Sequence, residues 1–285
     1  MYIDKIWITG ASGRLGSTLY RHLNPLDMEI LATDKNIVDI TNSKQVNKYV
    51  ERNRPDIIIN CSGLTKRNYC ETHEDEAFLL NGLGARNIAV AARRVKAVLV
   101  HLSTEEVFDG TNLIPYREID EPNPISVYGK SKNYGEKFVR EFVPGHFIIR
   151  PSRLYSRENH FVEDIIEQAK KNKEVVVPKN QFFSPTSAIE LTRFLLFLMN
   201  TSEYGTYHAS CTGVCSRKEF AEEILKLTGI EAEIKEIEGD SQADFRPQYL
   251  ALENYILNLT KEFEFLDWKK ALSDYIDMEV KNAKK

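Results

Sequence analysis

At 285 residues, with 42% hydrophobic and 28% charged side chains, the chain can bury a large core as one domain or two unequal ones. A net charge of -4 and a pI near 6.0 give no basic field for nucleic acid, and apolar runs such as 194–199 are far too short to span a bilayer. Cys61, Cys70, Cys211 and Cys215 lack disulfide-framework or zinc-ligand spacing, the six histidines show no ligand spacing, and an early strand leaves no room for a signal peptide. We therefore expect no metal and a cytoplasmic protein.

The first half alternates short apolar runs with longer amphipathic segments. Residues 6–9 predict a strand, followed by Gly10-Ala11-Ser12-Gly13-Arg14-Leu15-Gly16 and a helix over 15–23. A second strand over 29–33 ends at Asp34. A helix over 43–52 follows, capped by Asn42 or Ser43 and closed by Pro55. Strands over 57–60, 98–102 and 147–150 then alternate with helices over 75–94 and 126–142. The strands are almost continuously apolar, as burial on both faces of a parallel sheet requires. Repeated strand–helix–strand units predict an α/β fold, a doubly wound parallel (Rossmann) sheet with ligands at the carboxyl ends of its strands. After Pro151 the order is mixed: helices over 161–171, 187–199 and 216–227, strands over 175–177, 206–209 and 232–237, and a terminal helix from Asp267. We predict a dinucleotide-binding domain over 1–150, rejoined by about 180–200, and a smaller α+β substrate-binding domain over 151–285.

Gly10, Gly13 and Gly16 lie between a strand and a helix, where glycine permits a tight turn and close approach of backbone to a pyrophosphate. The helix N-terminus there supplies oriented N–H groups. Ser12, Arg14 and Leu15 share that turn. Asp34 can accept bonds from an adenosine ribose, which favours NAD(H), whereas Arg14 and Lys35 can hold a 2′-phosphate, which favours NADP(H). Asp39 and Ile40 are expected to border the adenine. An ordinary strand-to-helix turn is the plain alternative.

Tyr128 and Lys132 are four residues apart on one predicted helix, so both project from one face. A free phenol has a pKa of about 10, and a neighbouring ammonium lowers it toward neutral proton exchange. The lysine can also hold a nicotinamide ribose. Leu102-Ser103-Thr104 ends a strand, and Thr104 is placed to hydrogen-bond a reacting oxygen. With the glycine turn, these residues describe a nicotinamide-dependent enzyme acting on a carbonyl or an alcohol.

The set resembles the extended short-chain dehydrogenase/reductase family, and within it the dTDP-4-dehydrorhamnose reductase group. Gly10–Gly16, Leu102 through Gly110, Tyr128 to Lys132, Gln181 with Pro185-Thr186, and Arg246-Pro247 carry the likeness along nearly the whole chain. The resemblance implies reduction of the 4-keto group of a nucleotide-linked 6-deoxy sugar for surface polysaccharide. It implies a small-molecule nucleotide-sugar partner and leaves a homodimer open. It assigns Cys61, Ser62 and Gly63 to the cofactor, and Thr65, Glu105, Glu106, Arg153, Gln181 and Arg246 to the substrate. Glu106 stands where the group has tyrosine, Arg153 where it has tryptophan, and Ser62-Gly63-Leu64-Thr65 where it has A-A-Y-T. These departures point to a changed sugar, and we expect Arg153 either to pair with Glu106 or to meet an anionic or strongly polar substituent. Thr104-Glu105-Glu106 also resembles the T-D-E of nucleotide-sugar dehydratases, and a non-catalytic relative, the regulatory β subunit of methionine adenosyltransferase, keeps a third reading open.

Overall fold

The computed structural model describes residues 3–23, 28–157, 161–238 and 247–281. Five strands, β1 (Lys5–Thr9), β2 (Glu29–Thr33), β3 (Ile57–Asn60), β4 (Val98–Leu102) and β5 (His146–Arg150), pair in parallel. With the strand Gly205–His208 they form a six-stranded sheet in the order Gly205–His208, β5, β4, β3, β1, β2. The order reverses beside β1 and β3, as in a doubly wound Rossmann sheet, and the carboxyl ends of these strands are the place for a ligand. Trp7, Ile58, Leu99 and Ile148 on one face pack against Val46, Ile88, Ala92 and Val139 from the covering helices. Each such side chain contributes about 1.5–3 kcal/mol by leaving water.

The helices α1 (Arg14–Leu23), α2 (Ser43–Asn53), α3 (Arg67–Thr72), α4 (Glu74–Ala77), α5 (Ala85–Val95) and α6 (Val127–Phe142) connect these strands. Asn42 caps α2 by accepting from the N–H groups of Lys44 and Gln45, and Arg54 ends it in the left-handed region (φ 45°) just before Pro55. Ser126 caps α6 through the Gly129 N–H, which fixes where the Tyr128–Lys132 face begins. The helix expected over 75–94 is interrupted: Phe78–Gly84 is a π-helical segment between α4 and α5. A Cβ at Gly82 would lie 2.7 Å from the Tyr134 ring and one at Gly84 2.8 Å from Ile40, so the wider turn packs only because these positions are bare.

The chain divides into two compact units: Met1–Phe108, Glu121–Arg150 and Thr192–Tyr207 form one, and Asp109–Asp120, Pro151–Leu191 and His208–Lys285 the other. Local pattern does not show that 109–120 joins the second unit, because the pairing that recruits it is long-range. Tyr116 bridges Leu252, its N–H donates to the Ala251 carbonyl at 2.9 Å, and Gly110 adopts φ 73° against Pro247. In the second unit Glu174–Pro178 pairs in parallel with Glu233–Ile237, and Tyr155, Ile166, Phe183, Phe220, Trp268 and Tyr275 make the core. Its helix Arg217–Thr228 starts at a reciprocal Ser216–Glu219 cap and stops at left-handed Gly229. The expected terminal helix runs over Trp268–Tyr275 and continues as a π-helical turn, Ile276–Lys281.

Candidate active site

The glycine turn is shaped by close backbone approaches. Gly10 sits at φ 64°, where a Cβ would come within 2.9 Å of Ser62, and a Cβ at Gly16 would lie 2.3 Å from the Gly10 carbonyl oxygen. Gly13 and Ser12 are exposed at the mouth of the turn, Arg14 opens α1, and Leu15 is buried beneath it. The Asp34 carboxylate at the end of β2 accepts from the Ser12 N–H at 3.2 Å, so it stands beside the turn, with exposed Lys35 next to it. Asp39 accepts from the Thr41 hydroxyl at 2.7 Å, which holds its carboxyl below the usual range, and Ile40 is buried against the Gly84 position. Cys61, Ser62 and Gly63 follow β3, and burial pushes the Cys61 thiol up to about 12. A Cβ on Gly63 would lie 3.0 Å from Asn81 Oδ1 and 3.5 Å from Lys132 Nζ. A bare, N–H-rich turn with an adjacent carboxylate and ammonium fits the pyrophosphate and ribose groups of a dinucleotide.

Thr104, Tyr128 and Lys132 are all buried, gathered where β4 ends beside the start of α6. Lys132 Nζ donates to the Leu102 carbonyl at 2.5 Å, and burial lowers its ammonium to about 8 against the opposing Glu136 charge. The Tyr128 phenol stands above its ordinary value rather than below it, where the spacing predicted it. Burial first, then the Glu105 charge, push the phenol above its ordinary value, while Arg14, a hydrogen bond with Thr104, and Arg67 pull it back. The phenol therefore keeps its proton through neutral pH.

The Glu106 carboxylate is held by a guanidinium of its own unit. Arg67 on α3 makes a close ion pair with Glu106 and lies 3.8 Å from Glu105. Glu105 also accepts the Thr104 hydroxyl at 2.7 Å, and Glu106 accepts the Ser126 hydroxyl at 3.3 Å. Arg153, at φ 42°, lays its guanidinium over Phe183 at 5.3 Å and Phe161 at 6.0 Å within the second unit. Gln181, in the same unit, accepts from Arg217 Nε at 3.2 Å, and Arg217 shares both rings with Arg153. Thr65 is exposed after β3, and Arg246 lies outside the described residues.

Four supporting groups escaped the sequence reading. Asn81, on the π-helical segment, donates to the Leu64 carbonyl and Ser131 hydroxyl and accepts from the Leu64 N–H, stapling the 62–65 loop to α6. Glu136 accepts two bonds from Arg150, at 2.9 and 2.7 Å, and one from the Ser103 hydroxyl. Burial raises its carboxyl, but Arg150 and Arg140 bring it down to about 2. His101 is buried and falls to about 3 through burial and the Lys132 charge. Arg67 is the fourth. Only helical spacing from Tyr128 and Lys132 to Glu136 hinted at any of them.

Residues 4–280 match the family described as RmlD substrate binding domain. The spore coat polysaccharide biosynthesis protein SpsK of Bacillus subtilis is 34% identical, covering 96% of this chain and 97% of that protein. The dTDP-4-keto-6-deoxy-D-glucose reductase of Streptomyces niveus is 32% identical over 87% and 88% of the two chains. The solved structure of dTDP-4-dehydrorhamnose reductase from Bacillus anthracis in complex with NADP is 38% identical, with a TM-score of 0.94 over 97% of this chain and 99% of that one. The chain belongs to the RmlD substrate binding domain family, within the extended short-chain dehydrogenases/reductases.

Proposed function

We propose that this chain is an oxidoreductase that uses NAD(P)H to reduce the 4-keto group of a nucleotide-linked 6-deoxy sugar. It is of the dTDP-4-dehydrorhamnose reductase type, and it serves surface polysaccharide precursor synthesis. The observation that carries this reading is the buried grouping of Thr104, Tyr128 and Lys132 at the end of β4. The relatives named for 4-keto reduction and for coat polysaccharide point the same way.

When bound, a reduced nicotinamide would supply the hydride. Tyr128, kept protonated by burial, gives its proton to the oxygen of the reduced carbonyl, and Thr104 holds that oxygen through its hydroxyl. Lys132, titrating at about 8, is still mostly cationic at neutral pH and is set to hold a ribose hydroxyl. The N–H groups of residues 14–16 at the start of α1 would cradle the pyrophosphate, Asp34 would take the adenosine ribose, and Arg14 and Lys35 would suit a 2′-phosphate. Elimination by paired carboxylates fits less well, because Glu106 is clamped by Arg67. On this reading the sugar nucleotide is the small-molecule partner and the reaction takes place in the cytoplasm. Among the described residues, no helix is long and apolar enough to cross a membrane.

The test is stoichiometry. The purified protein with a dTDP-4-keto-6-deoxy sugar should oxidise one NAD(P)H per sugar and yield the 4-hydroxy product. A dehydratase recycles its cofactor and shows no net loss of reduced nicotinamide, and a binding subunit turns over nothing.

A further inference from the structure

Arg153 and Arg217 come from distant segments of the chain, yet their guanidiniums lie over the same two rings. Arg153 stands 5.3 Å from the centre of Phe183 and 6.0 Å from that of Phe161, and Arg217 stands 4.8 Å from Phe161 and 5.4 Å from Phe183. Two like charges gathered so closely repel, and the ring faces offset only part of that repulsion. Stacking uses the face of a guanidinium. Its five donors lie in its plane, so a stacked arginine that also holds a protein acceptor can still grip an oxyanion from the side. Arg217 is anchored at both ends: Nε donates to Gln181 Oε1 at 3.2 Å, and its backbone N–H donates to the Gln181 carbonyl at 3.1 Å. It is also the first residue of the helix Arg217–Thr228, whose N-terminal end carries partial positive charge. Burial first, then Glu219, push the Cys215 thiol up, while Arg217, Lys269 and Arg153 pull it back, so a third cation acts on the same place. Glu219 itself accepts the Ser216 N–H at 2.7 Å in the helix cap. Arg153 holds a left-handed backbone, φ 42°, which a residue with a side chain adopts at a cost. The Thr186 N–H, donating to the Arg153 carbonyl at 3.3 Å, and the pairing of Leu154 with Thr186 keep it there.

We propose that Arg153 and Arg217 form an oxyanion-binding site within the second unit, and that the group it takes is a phosphate, either in the diphosphate of a sugar nucleotide or free. Both arginines, Gln181 and the two rings all belong to that unit. A neutral 6-deoxy sugar gains nothing from two fixed cations. A phosphate does, because its oxygens accept from both guanidiniums at once and turn their repulsion into shared attraction. The rings hold the planes of the two forks while the anion is absent. The group this chain resembles has tryptophan at 153, so the arginine pair belongs to this chain's own chemistry. A sugar nucleotide as the source of the phosphate rests on the reductase reading, whereas the site itself does not.

The experiment is a calorimetric titration of the full chain with inorganic pyrophosphate, dTDP and thymidine, in saturating NADPH so that the glycine turn is filled. Pyrophosphate and dTDP should bind, and thymidine should bind far more weakly. Arg153→Gln and Arg217→Gln should each weaken pyrophosphate and dTDP by on the order of tenfold. Arg153→Lys keeps the charge but loses the planar fork and should recover only part of the affinity. Added salt should weaken binding to wild type more than to either glutamine variant. The thermal shift given by NADPH reports whether a variant is folded. Should Arg217→Gln fail that check, Arg153→Gln and Arg153→Lys decide alone. Tighter binding of dTDP than of pyrophosphate supports the site with a sugar nucleotide as its ligand, and equal binding supports it with free phosphate. Wild-type affinity for both anions in Arg153→Gln, or a wild type that binds neither, overturns the proposal. If wild type reduces no keto sugar while these losses appear, the reductase reading falls and the site stands.

Discussion

The two units handle buried charge in different ways. In the first, ionisable groups under the sheet meet ionised or carbonyl partners: Glu136 with Arg150 and Arg140, Arg67 with Glu105 and Glu106, Lys132 with the Leu102 carbonyl. In the second, Arg153 and Arg217 spread over the faces of Phe161 and Phe183. Charge-assisted bonds are directional and hold atoms to a geometry, whereas a guanidinium over a ring tolerates sliding. A proton-transfer site needs the first kind of support.

The contrast predicts effects of decreasing size. Tyr128→Phe keeps the ring but removes the proton donor, so turnover should fall roughly 10²–10⁴-fold. Cofactor-induced thermal stabilisation should survive, which separates lost chemistry from a lost fold. If turnover persists, the first unit does not carry the acid.

Next in size is stability. Glu136→Ala leaves Arg150 buried without its carboxylate and should cost about 3–5 kcal/mol in urea unfolding. Arg153→Trp in the second unit should cost at most about 1 kcal/mol, since one aromatic contact replaces another. Its effect should fall on KM for the sugar nucleotide. An unchanged KM would show that Arg153 has no part in choosing the substrate.

Acid should separate the units. His101 titrates at about 3 when folded against 6.5 when free, and Glu136 at about 2 against 4.5. In both cases the unfolded chain binds the proton first. The first unit should therefore lose stability as pH falls below 6.5, by up to about 1.4 kcal/mol per pH unit for each titrating group. In the second unit burial raises the Glu118 carboxyl, so the folded form binds the proton first and acidification through that range stabilises it. Each unit holds one of the two tryptophans, Trp7 and Trp268. In single-tryptophan variants the Trp7 fluorescence should change at the higher pH, and coincident transitions would refute the assignment.

The smallest effect concerns cofactor choice. Asp34→Ala should weaken NADH more than NADPH, by roughly 1 kcal/mol or about fivefold in Kd. Equal losses would leave the choice to Arg14 and Lys35.

Much of the first unit was legible in the chain because its signals are local. A run such as Ile57-Ile58-Ile59 is a buried parallel strand whatever follows it, Asn42 caps a helix through N–H groups two and three residues on, and Tyr128 and Lys132 share a face by helical geometry alone. Partner choice was not legible. Arg67 meets Glu105 and Glu106 nearly forty residues away, Asn81 reaches Ser131 across fifty, and 109–120 joins a unit built mostly from residues beyond 150. Nothing in the spacing showed that Arg67 on α3 would hold the Glu106 carboxylate. Spacing and periodicity are set by neighbours within a few residues, so the sequence by itself determined the strands, the glycine turn and the Thr104–Tyr128–Lys132 set. Which charge answers which is decided only when loops close and water leaves, because a buried ion is stabilised by whatever opposite charge the fold brings near. That decision belongs to the tertiary structure.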